Sequence, residues 1–129
     1  MNFKLTKGFN RNVVLLGKYA IKFPRNTLGL ISNLNETIRW KHDHKSRHLR
    51  CPVLYGSSIM VIMKRCMPCS ENIFENLSED YKTIDDFNIH NFGILKEETG
   101  LGHTEKIVCL DYGNNLVYSK IEHENKYFN

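Results

Sequence analysis

Five polar side chains stand in an order that could serve chemistry on a phosphate group. Lys22 lies within the otherwise apolar run YAIKF, and Asp111 ends the apolar run IVCLDYG. Between them come Glu36 and the pair Asp86 and Asn91, which have the spacing D-x-x-x-x-N in DFNIHNFGIL. Phosphoryl transfer uses groups of these types: a cation on the phosphates, an acid that fixes the cation, oxygen ligands for magnesium and an acid that orients the attacking hydroxyl.

Each of these residues also has an ordinary structural interpretation. Lys22 would reach solvent from an edge strand, as long basic side chains commonly do. Glu36 would be a solvated residue on a polar helix face. Asp86, Asn91 and Asp111 would be turn residues, because short polar side chains readily hydrogen-bond the nearby backbone. The five residues in this order favour a common site over five unrelated placements.

Strands and a helix in the first half of the chain must position Lys22 and Glu36. The runs FKLTK, NVVLLG and YAIKFP predict three strands, with turns at Gly8 and Gly17. A helix is predicted from Asn26 to about Arg47, with Asn26 or Thr27 as its N-cap. The apolar residues that recur at helical spacing in this segment are Leu28, Ile31, Leu34 and Ile38.

The second half must position the remaining acids. CPVLYG and IMVIMKR predict two strands, and SENIFENLSEDYKTI predicts one helix with Ser70 as its N-cap. FGIL and KIVCLDY then predict a hairpin around KEETGLGHTE. This order of elements indicates an α+β fold in which an antiparallel sheet carries a helix. The residues expected on the apolar face of the second helix are Phe74, Leu77, Tyr81 and Ile84.

Length and composition narrow the class of protein. A chain of 129 residues suits one domain, and a net charge of +4 is too small to argue for nucleic acid as a partner. No apolar stretch is long enough for a membrane span, so we expect no membrane association and a cytoplasmic location. The four unevenly spaced cysteines suit reduced thiols in a cytosol. Abundant Asn, Lys and Ile are typical of AT-rich genomes such as those of phages, in which case the location is the host cytoplasm.

In order and spacing these residues resemble the protein-kinase-like family. YAIKF resembles the V-A-I-K motif of the third strand, DFNIHNFGIL the catalytic loop, and LDYG the D-F-G motif. The resemblance implies that Lys22 contacts the phosphates of ATP and that Glu36 is its ion-pair partner on helix C. It implies Asp86 as the catalytic acid, with Asn91 and Asp111 as ligands of Mg²⁺.

The resemblance also implies an architecture and an adenine site. Residues 1–66 would form a five-stranded antiparallel sheet with one helix C, similar to a kinase N-lobe. Residues 67–129 would form a much reduced C-lobe of one helix and the hairpin that carries the catalytic-loop and D-F-G motifs. CPVLYGSSIMVIMKRCMP resembles strands four and five and the hinge. Backbone groups from Met63 to Cys66, including those of Arg65, would then contact the adenine.

The glycine-rich loop of that family is only partly matched. TKGFNRNV aligns with the G-x-G-x-x-G-x-V pattern at Gly8 and Val13. Thr6 and Arg11 stand at the flanking glycine positions, where close approach of the backbone to the phosphates needs glycine. Gly8 is expected at the nucleotide, and Arg11 is expected to contact a phosphate itself.

The catalytic region departs from the family in three further ways. Ile84, Asp85 and Asp86 replace the H-R-D triplet, and Asn88 stands where a lysine is expected. One helix separates the hinge from the catalytic loop where the family usually has two. We also expect residues 114–129 to be too few for an activation segment and a platform for peptide substrates.

These observations support two functions of different classes. The first is a pseudokinase, a nucleotide-binding protein that modulates a protein partner, including host machinery, or that forms a homodimer. The alternative is an active minimal phosphotransferase that depends on ATP and Mg²⁺. The intact lysine, asparagine and aspartates favour the enzyme, whereas the replaced H-R-D triplet and sparse glycine loop favour the pseudokinase.

A small zinc or nucleic-acid-binding module is a second alternative. The residues chemically suited to zinc are His42, His44, His48, Cys51, Cys66 and Cys69. A single C-x-x-C is a weak signal and the other spacings fit no standard zinc module, so we expect no zinc. The basic run KHDHKSRHLR is most simply a solvated helix end, and we expect no nucleic-acid partner.

Overall fold

A large antiparallel sheet forms the first part of the fold in the computed structural model, which describes residues 3–7, 10–82 and 89–113. Gly8 and Asp86 therefore lie outside the described residues. The strands follow the spatial order β1-β2-β3-β5-β4. Their bounds are β1 Phe3–Lys7, β2 Arg11–Leu16, β3 Tyr19–Pro24, β4 Val53–Gly56 and β5 Val61–Lys64.

Tight turns set the register of this sheet. Only Gly17 and Lys18 connect β2 to β3, and Gly17 has a φ of +57°, a left-handed conformation that glycine adopts without a steric penalty. The resulting register places Val13 opposite Lys22, and Lys22 in turn opposite Val61 on β5. The turn therefore fixes which face of the sheet receives the lysine.

Helix α1, Thr27–His42, packs on this sheet with a polar inner face. The side chain of Asn26 caps it by accepting a hydrogen bond from the amide of Gly29 at 3.0 Å. The helix ends at His42 instead of continuing to Arg47, and a short 3-10 turn covers Arg47–Leu49. The residues buried along the helix are Gly29, Ser32, Asn33, Asn35, Glu36 and Thr37.

The apolar residues whose spacing predicts α1 do not form its buried face. Leu34 is 46% exposed and Ile38 is 45% exposed, and both point away from the sheet. The inner face instead meets buried cations of the sheet, which Glu36 and Asn33 bind. Hydrogen bonds and ion pairs therefore determine the orientation of this helix more than apolar contact does.

A smaller sheet and two short helices form the rest of the described chain. Strands β6 Met67–Pro68, β7 Phe92–Thr99 and β8 Gly102–Cys109 pair in the order β6-β7-β8. The single helix expected after Ser70 is divided into α2, Glu71–Glu75, and α3, Glu79–Lys82. Helix α2 ends because the Asn76 side chain turns back to donate to the carbonyl of Asn72 at 2.7 Å, which competes with helix continuation.

The hairpin of β7 and β8 is longer than the expected pair of strands. Its turn consists of Gly100 and Leu101, and the eight residues of each strand pair in register. The strands continue beyond their apolar parts because charged residues face each other across the hairpin, as in the pair Lys96 and Glu105 at 3.7 Å. The sequence KEETGLGHTE is thus mostly strand.

One buried cluster joins the two sheets. It contains Met63 from β5, Phe92 from β7 and Val108 from β8. The amide of Cys51 also donates to the carbonyl of Cys109 at 2.9 Å, which links the segment before β4 to the end of β8. The expected α+β class, with antiparallel sheets and few helices, is confirmed. No helix in the described ranges has the length and apolar character to cross a membrane.

Candidate functional site

A cleft of about 630 Å³ lies between the two sheets, a volume typical of small-molecule sites. Its walls change character from one end to the other. Arg11, Lys22 and Asp111 lie together and form the charged end of the cleft. The apolar lining residues are Val13, Leu15, Ala20, Met63, Met67, Pro68, Ile89, Phe92 and Leu110.

The alternation of side chains along two strands explains the lining. Successive residues of a strand point to opposite faces, so Arg11 and Val13 on β2 face the cleft together. Ala20 and Lys22 on β3 do the same, while Phe23 is exposed on the other side. On each of the two strands, a cationic residue (Arg11 on β2, Lys22 on β3) therefore faces the cleft together with apolar side chains.

Glu36 is the centre of the charged end and has no exposed surface. It accepts hydrogen bonds from Lys22 Nζ at 2.8 and 3.0 Å and from Arg11 Nη1 and Nη2 at 2.8 Å each. The amide of Gly113 donates to Oε2 at 3.2 Å. Burial by itself raises the pKa of this carboxyl, but the charges of Lys22 and Arg11 outweigh burial and lower the pKa to about 2. Glu36 is therefore ionised at neutral pH.

Lys22 is buried in the cleft wall and does not extend to bulk solvent. Its side chain pairs with Glu36 and donates to the carbonyl of Leu110 at 2.6 Å. The lysine is only 5% exposed, which excludes the interpretation as an edge-strand residue that reaches water. The structure thus brings together Lys22 and Glu36, two of the residues singled out in the sequence.

Arg11 contacts carboxylates in this structure. Its guanidinium holds both oxygens of Glu36, and Nη2 also donates to Asp111 Oδ1 at 2.6 Å. Nη1 donates to Asn33 Oδ1 at 3.1 Å. Burial lowers the pKa of the guanidinium, but the charges of Glu36 and Asp111 raise it by more, so Arg11 stays protonated. The sequence predicted Arg11 at the site but did not identify these partners.

Asp111 and Asn91 lie side by side directly after β8 and before β7. The amide of Asp111 donates to Asn91 Oδ1 at 2.8 Å, and Asn91 is only 4% exposed. The Asp111 side chain is 43% exposed and points towards the cleft, where it lines the charged end. Asp111 is therefore more than a turn residue, because its carboxylate forms an ion pair with Arg11 on β2.

The two residues expected to bind magnesium already have other partners in this structure. Mg²⁺ needs several oxygen ligands in octahedral geometry. Oδ1 of Asp111 is bound to Arg11, whereas Oδ1 of Asn91 accepts a backbone amide and is buried. No group of three or more His, Cys, Asp or Glu residues within the described ranges is placed to hold a metal ion.

Met63 and Arg65 were both expected at the adenine, but only Met63 lines the cleft. Met63 is buried and lines the cleft. Arg65 does not line it, and its amide donates to the carbonyl of Lys18 at 2.8 Å in the neighbouring turn. Lys64 and Cys66, which flank Arg65, do line the cleft.

A pair of cysteines in the cleft is a feature that the sequence interpretation missed. The sulfur atoms of Cys51 and Cys66 lie 3.7 Å apart. A hydrogen bond from Cys51 lowers the pKa of the Cys66 thiol, and the same contact, together with burial, raises that of Cys51. The predicted hairpin of β4 and β5 could have indicated this pair, because Cys51 lies just before β4 and Cys66 lies just after β5.

Comparisons with known proteins bear on the fold. No protein-family description matches this sequence, and no curated protein matches it. Among solved structures, the chain is similar to the Rio2 kinase–ADP/Mg²⁺–phosphoaspartate complex from Chaetomium thermophilum, with a TM-score of 0.58 and 14% sequence identity. The match covers 85% of this chain and 46% of that one, so this chain spans about half the length of that kinase. The expected kinase-like fold is confirmed.

Proposed function

We propose that this protein is a kinase-like nucleotide-binding protein that acts as a pseudokinase or as a modulator of a protein partner. The observation that carries the proposal is the buried ion pair of Lys22 and Glu36 at a cleft that many apolar side chains also line. In a kinase-like fold this is the arrangement that places a cation on nucleotide phosphates.

The two ends of the cleft suit the two parts of a nucleotide. The apolar side chains of the wall, which include Val13, Ala20 and Met63, provide a surface on which a purine base would be removed from water. Lys22, oriented by Glu36, provides a charge for the phosphates at the other end. The full chain would then be one minimal kinase-like domain, with residues 1–66 resembling an N-lobe and residues 67–129 a reduced C-lobe.

The charges at the cleft support a pseudokinase. Arg11 and Lys22 contribute two positive charges, and Glu36 and Asp111 contribute two negative charges that already have partners. The carboxylate of Asp111 faces the cleft but is held by Arg11, so it would have to leave Arg11 before it could serve a metal. The replacement of H-R-D by Ile84, Asp85 and Asp86 agrees with the loss of catalysis.

An active phosphotransferase is the alternative, and one observation favours it. Lys22, Glu36, Asn91 and Asp111 converge at one end of the cleft although they lie far apart in the sequence. In that case Asp86 would orient the attacking hydroxyl, and Arg11 would have to leave Asp111 before catalysis. Transfer of labelled γ-phosphate from ATP to the protein or to water, abolished by Asp86→Asn, would establish this alternative.

The outer face of α1 supports the proposal of a protein partner. Leu30, Leu34 and Ile38 recur every four residues on this face and are exposed. The neighbouring strand β4 exposes Leu54 and Tyr55 as well. Exposed apolar side chains that recur along one helix face commonly mark an interaction site, and a homodimer is the simplest partner. Light scattering at high concentration tests the homodimer, and a clean monomer would count against it.

The first test of the proposed function is binding of ADP and ATP, measured by calorimetry and thermal unfolding. A ligand at a hundredfold excess over its dissociation constant should stabilise the protein by about 2.7 kcal/mol. Lys22→Met should abolish this stabilisation because it removes the buried cation. Lys18→Met is the matched control, since Lys18 is exposed in the turn between β2 and β3.

The outcomes separate the pseudokinase from the active phosphotransferase, and both of them from a protein that binds no nucleotide. Binding by the wild type and by Lys18→Met, without phosphate transfer, supports the pseudokinase. No binding at millimolar ADP or ATP would contradict nucleotide binding altogether. We place the function in the cytoplasm, or in the host cytoplasm if the chain is viral, where free thiols such as those of Cys51 and Cys66 persist.

A further inference from the structure

Arg11 occupies the position between the two acidic groups of the cleft. Its Nη2 lies 2.8 Å from Glu36 Oε2 and 2.6 Å from Asp111 Oδ1, so one nitrogen bridges the two carboxylates. Its Nη1 binds Glu36 and Asn33. Only 7% of the Arg11 side chain is exposed. A protonated arginine is thus fixed where two carboxylates meet.

A divalent cation would have to compete with this arginine. Mg²⁺ at Asp111 needs carboxylate oxygens that are free to turn towards it, but Oδ1 is held by a short, charge-assisted hydrogen bond. A metal at the other oxygen of Asp111 would lie within a few ångströms of the guanidinium, where like charges repel. Among the described residues at this end of the cleft, Arg11 and Lys22 balance Glu36 and Asp111, so these four side chains add no net negative charge that would attract a metal.

We propose that Arg11 takes the place of the divalent cation and that the cleft binds nucleoside di- and triphosphates without metal. This inference rests on the proposed nucleotide binding and adds the form of the ligand. The phosphates would be held by Arg11 together with Lys22, both of which line the charged end. Arginine suits this function because its charge is permanent, so an N–H of Arg11 stays a charged donor for a phosphate oxygen while Glu36 and Asn33 hold the other terminal hydrogens.

The hydrogen-bond arrangement indicates how a phosphate gains access to Arg11. The two terminal nitrogens carry four hydrogens, and these are matched by two bonds to Glu36, one to Asn33 and one to Asp111. Glu36 is fully buried, so separating it from Arg11 would be costly. Asp111 is 43% exposed and can be hydrated when released. A phosphate therefore exchanges with Asp111 for Arg11 Nη2.

This exchange reverses the expected effect of one substitution. If Asp111 competes with the phosphate, Asp111→Asn should tighten ADP binding in EDTA, by about threefold or more, because a neutral amide competes less well for Arg11. If Asp111 is instead a metal ligand, the same substitution should weaken binding in Mg²⁺. The sign of the effect distinguishes the two interpretations without requiring that Arg11 itself be replaced.

The experiment is calorimetric titration of ADP in EDTA and in Mg²⁺, with wild type, Asp111→Asn and Arg11→Gln. We expect wild-type affinities that agree within about twofold in the two buffers and a loss of about tenfold or more for Arg11→Gln in EDTA. Mn²⁺ added with ADP should show no stoichiometric binding to the wild type by electron paramagnetic resonance. Thermal unfolding of each variant establishes that it is folded.

Each outcome decides a different claim. Wild-type binding that requires Mg²⁺ would overturn the inference and leave the proposed nucleotide binding intact. Unchanged or weaker binding of ADP by Asp111→Asn in EDTA would also overturn it. Absence of ADP binding in both buffers would overturn the proposed function and this inference together. Metal-independent binding that is tightened by Asp111→Asn supports the inference even if Arg11→Gln fails to fold.

Discussion

Replacement of Glu36 by glutamine is the most severe conservative change that the structure identifies. The glutamine side chain has nearly the same size, so the packing of α1 is preserved. It carries no charge, however, and leaves Lys22 and Arg11 buried beside a neutral amide. Breaking a buried pair by removing one partner typically costs about 3–5 kcal/mol. We expect a loss in this range for the free energy of unfolding at pH 7.

The pKa of Glu36 gives an independent magnitude. The pKa is about 2 in the folded protein and 4.5 for an unperturbed glutamate. A difference of this size corresponds to roughly 3 kcal/mol at neutral pH, since each unit is worth about 1.4 kcal/mol. A typical domain has about 5–15 kcal/mol of stability, so Glu36→Gln should bring this protein near its folding threshold.

The same pKa predicts the dependence on pH. Because folding lowers the pKa of Glu36, its contribution is fully present above pH 4.5 and is lost as the pH falls towards about 2. The wild type should therefore lose stability over this window. Glu36→Gln has no proton to gain at this position, so the difference between the two proteins should shrink as the pH falls.

Urea denaturation at pH 7, 5 and 3 measures this difference directly. Glu105→Gln is the matched control, because Glu105 is about half exposed and its pair with Lys96 spans 3.7 Å on the surface. We expect that control to change stability by less than about 1 kcal/mol. Equal stability of Glu36→Gln and wild type at pH 7 would refute the reasoning. So would a difference that stays the same from pH 7 to pH 3.

Three further substitutions or modifications test separate parts of the structure. Gly113→Ala should destabilise the protein by about 1–3 kcal/mol in thermal unfolding, because an added Cβ would lie 2.1 Å from a backbone oxygen of α1. Gly100→Ala, where nothing lies within 4 Å, is its control. Iodoacetamide at pH 7.5 should alkylate Cys66 before Cys51, because the pKa of Cys66 is lowered and that of Cys51 is raised. Mass spectrometry measures the order of alkylation. Leu34→Gln should change the free energy of unfolding by less than about 1 kcal/mol in urea denaturation, since Leu34 is exposed; a loss above 2 kcal/mol would contradict the orientation of α1.

The charged end of the cleft was predictable from the sequence only in part. Lys22 could be identified because a cation within an apolar strand needs a partner, and Glu36 lies on the next helix at a suitable distance along the chain. Arg11 occupies an equivalent position on β2, but the partner of a buried arginine depends on which acids the fold brings near it. The pair of Arg11 and Asp111 joins residues 100 positions apart, which no local pattern reports.

Hydrophobic periodicity predicted the helix α1 but did not indicate which of its faces is buried. Periodicity assumes that the apolar stripe is the buried one. Here the inner face carries Asn33 and Glu36, which bind Arg11 and Lys22 of the sheet, and Leu34 is exposed. The divided second helix has a more local cause, the return of the Asn76 side chain to the backbone, which propensity alone does not weigh.

The polar inner face of α1 has a consequence for the order of folding. Hydrophobic collapse brings apolar faces together without regard to direction, whereas this helix docks through bonds that need Arg11, Lys22 and Glu36 already aligned. We therefore expect α1 to dock after the folding barrier is crossed. Glu36→Gln should speed unfolding in stopped-flow measurements and leave the rate of folding nearly unchanged; a slowed folding rate would place the helix in the nucleus instead.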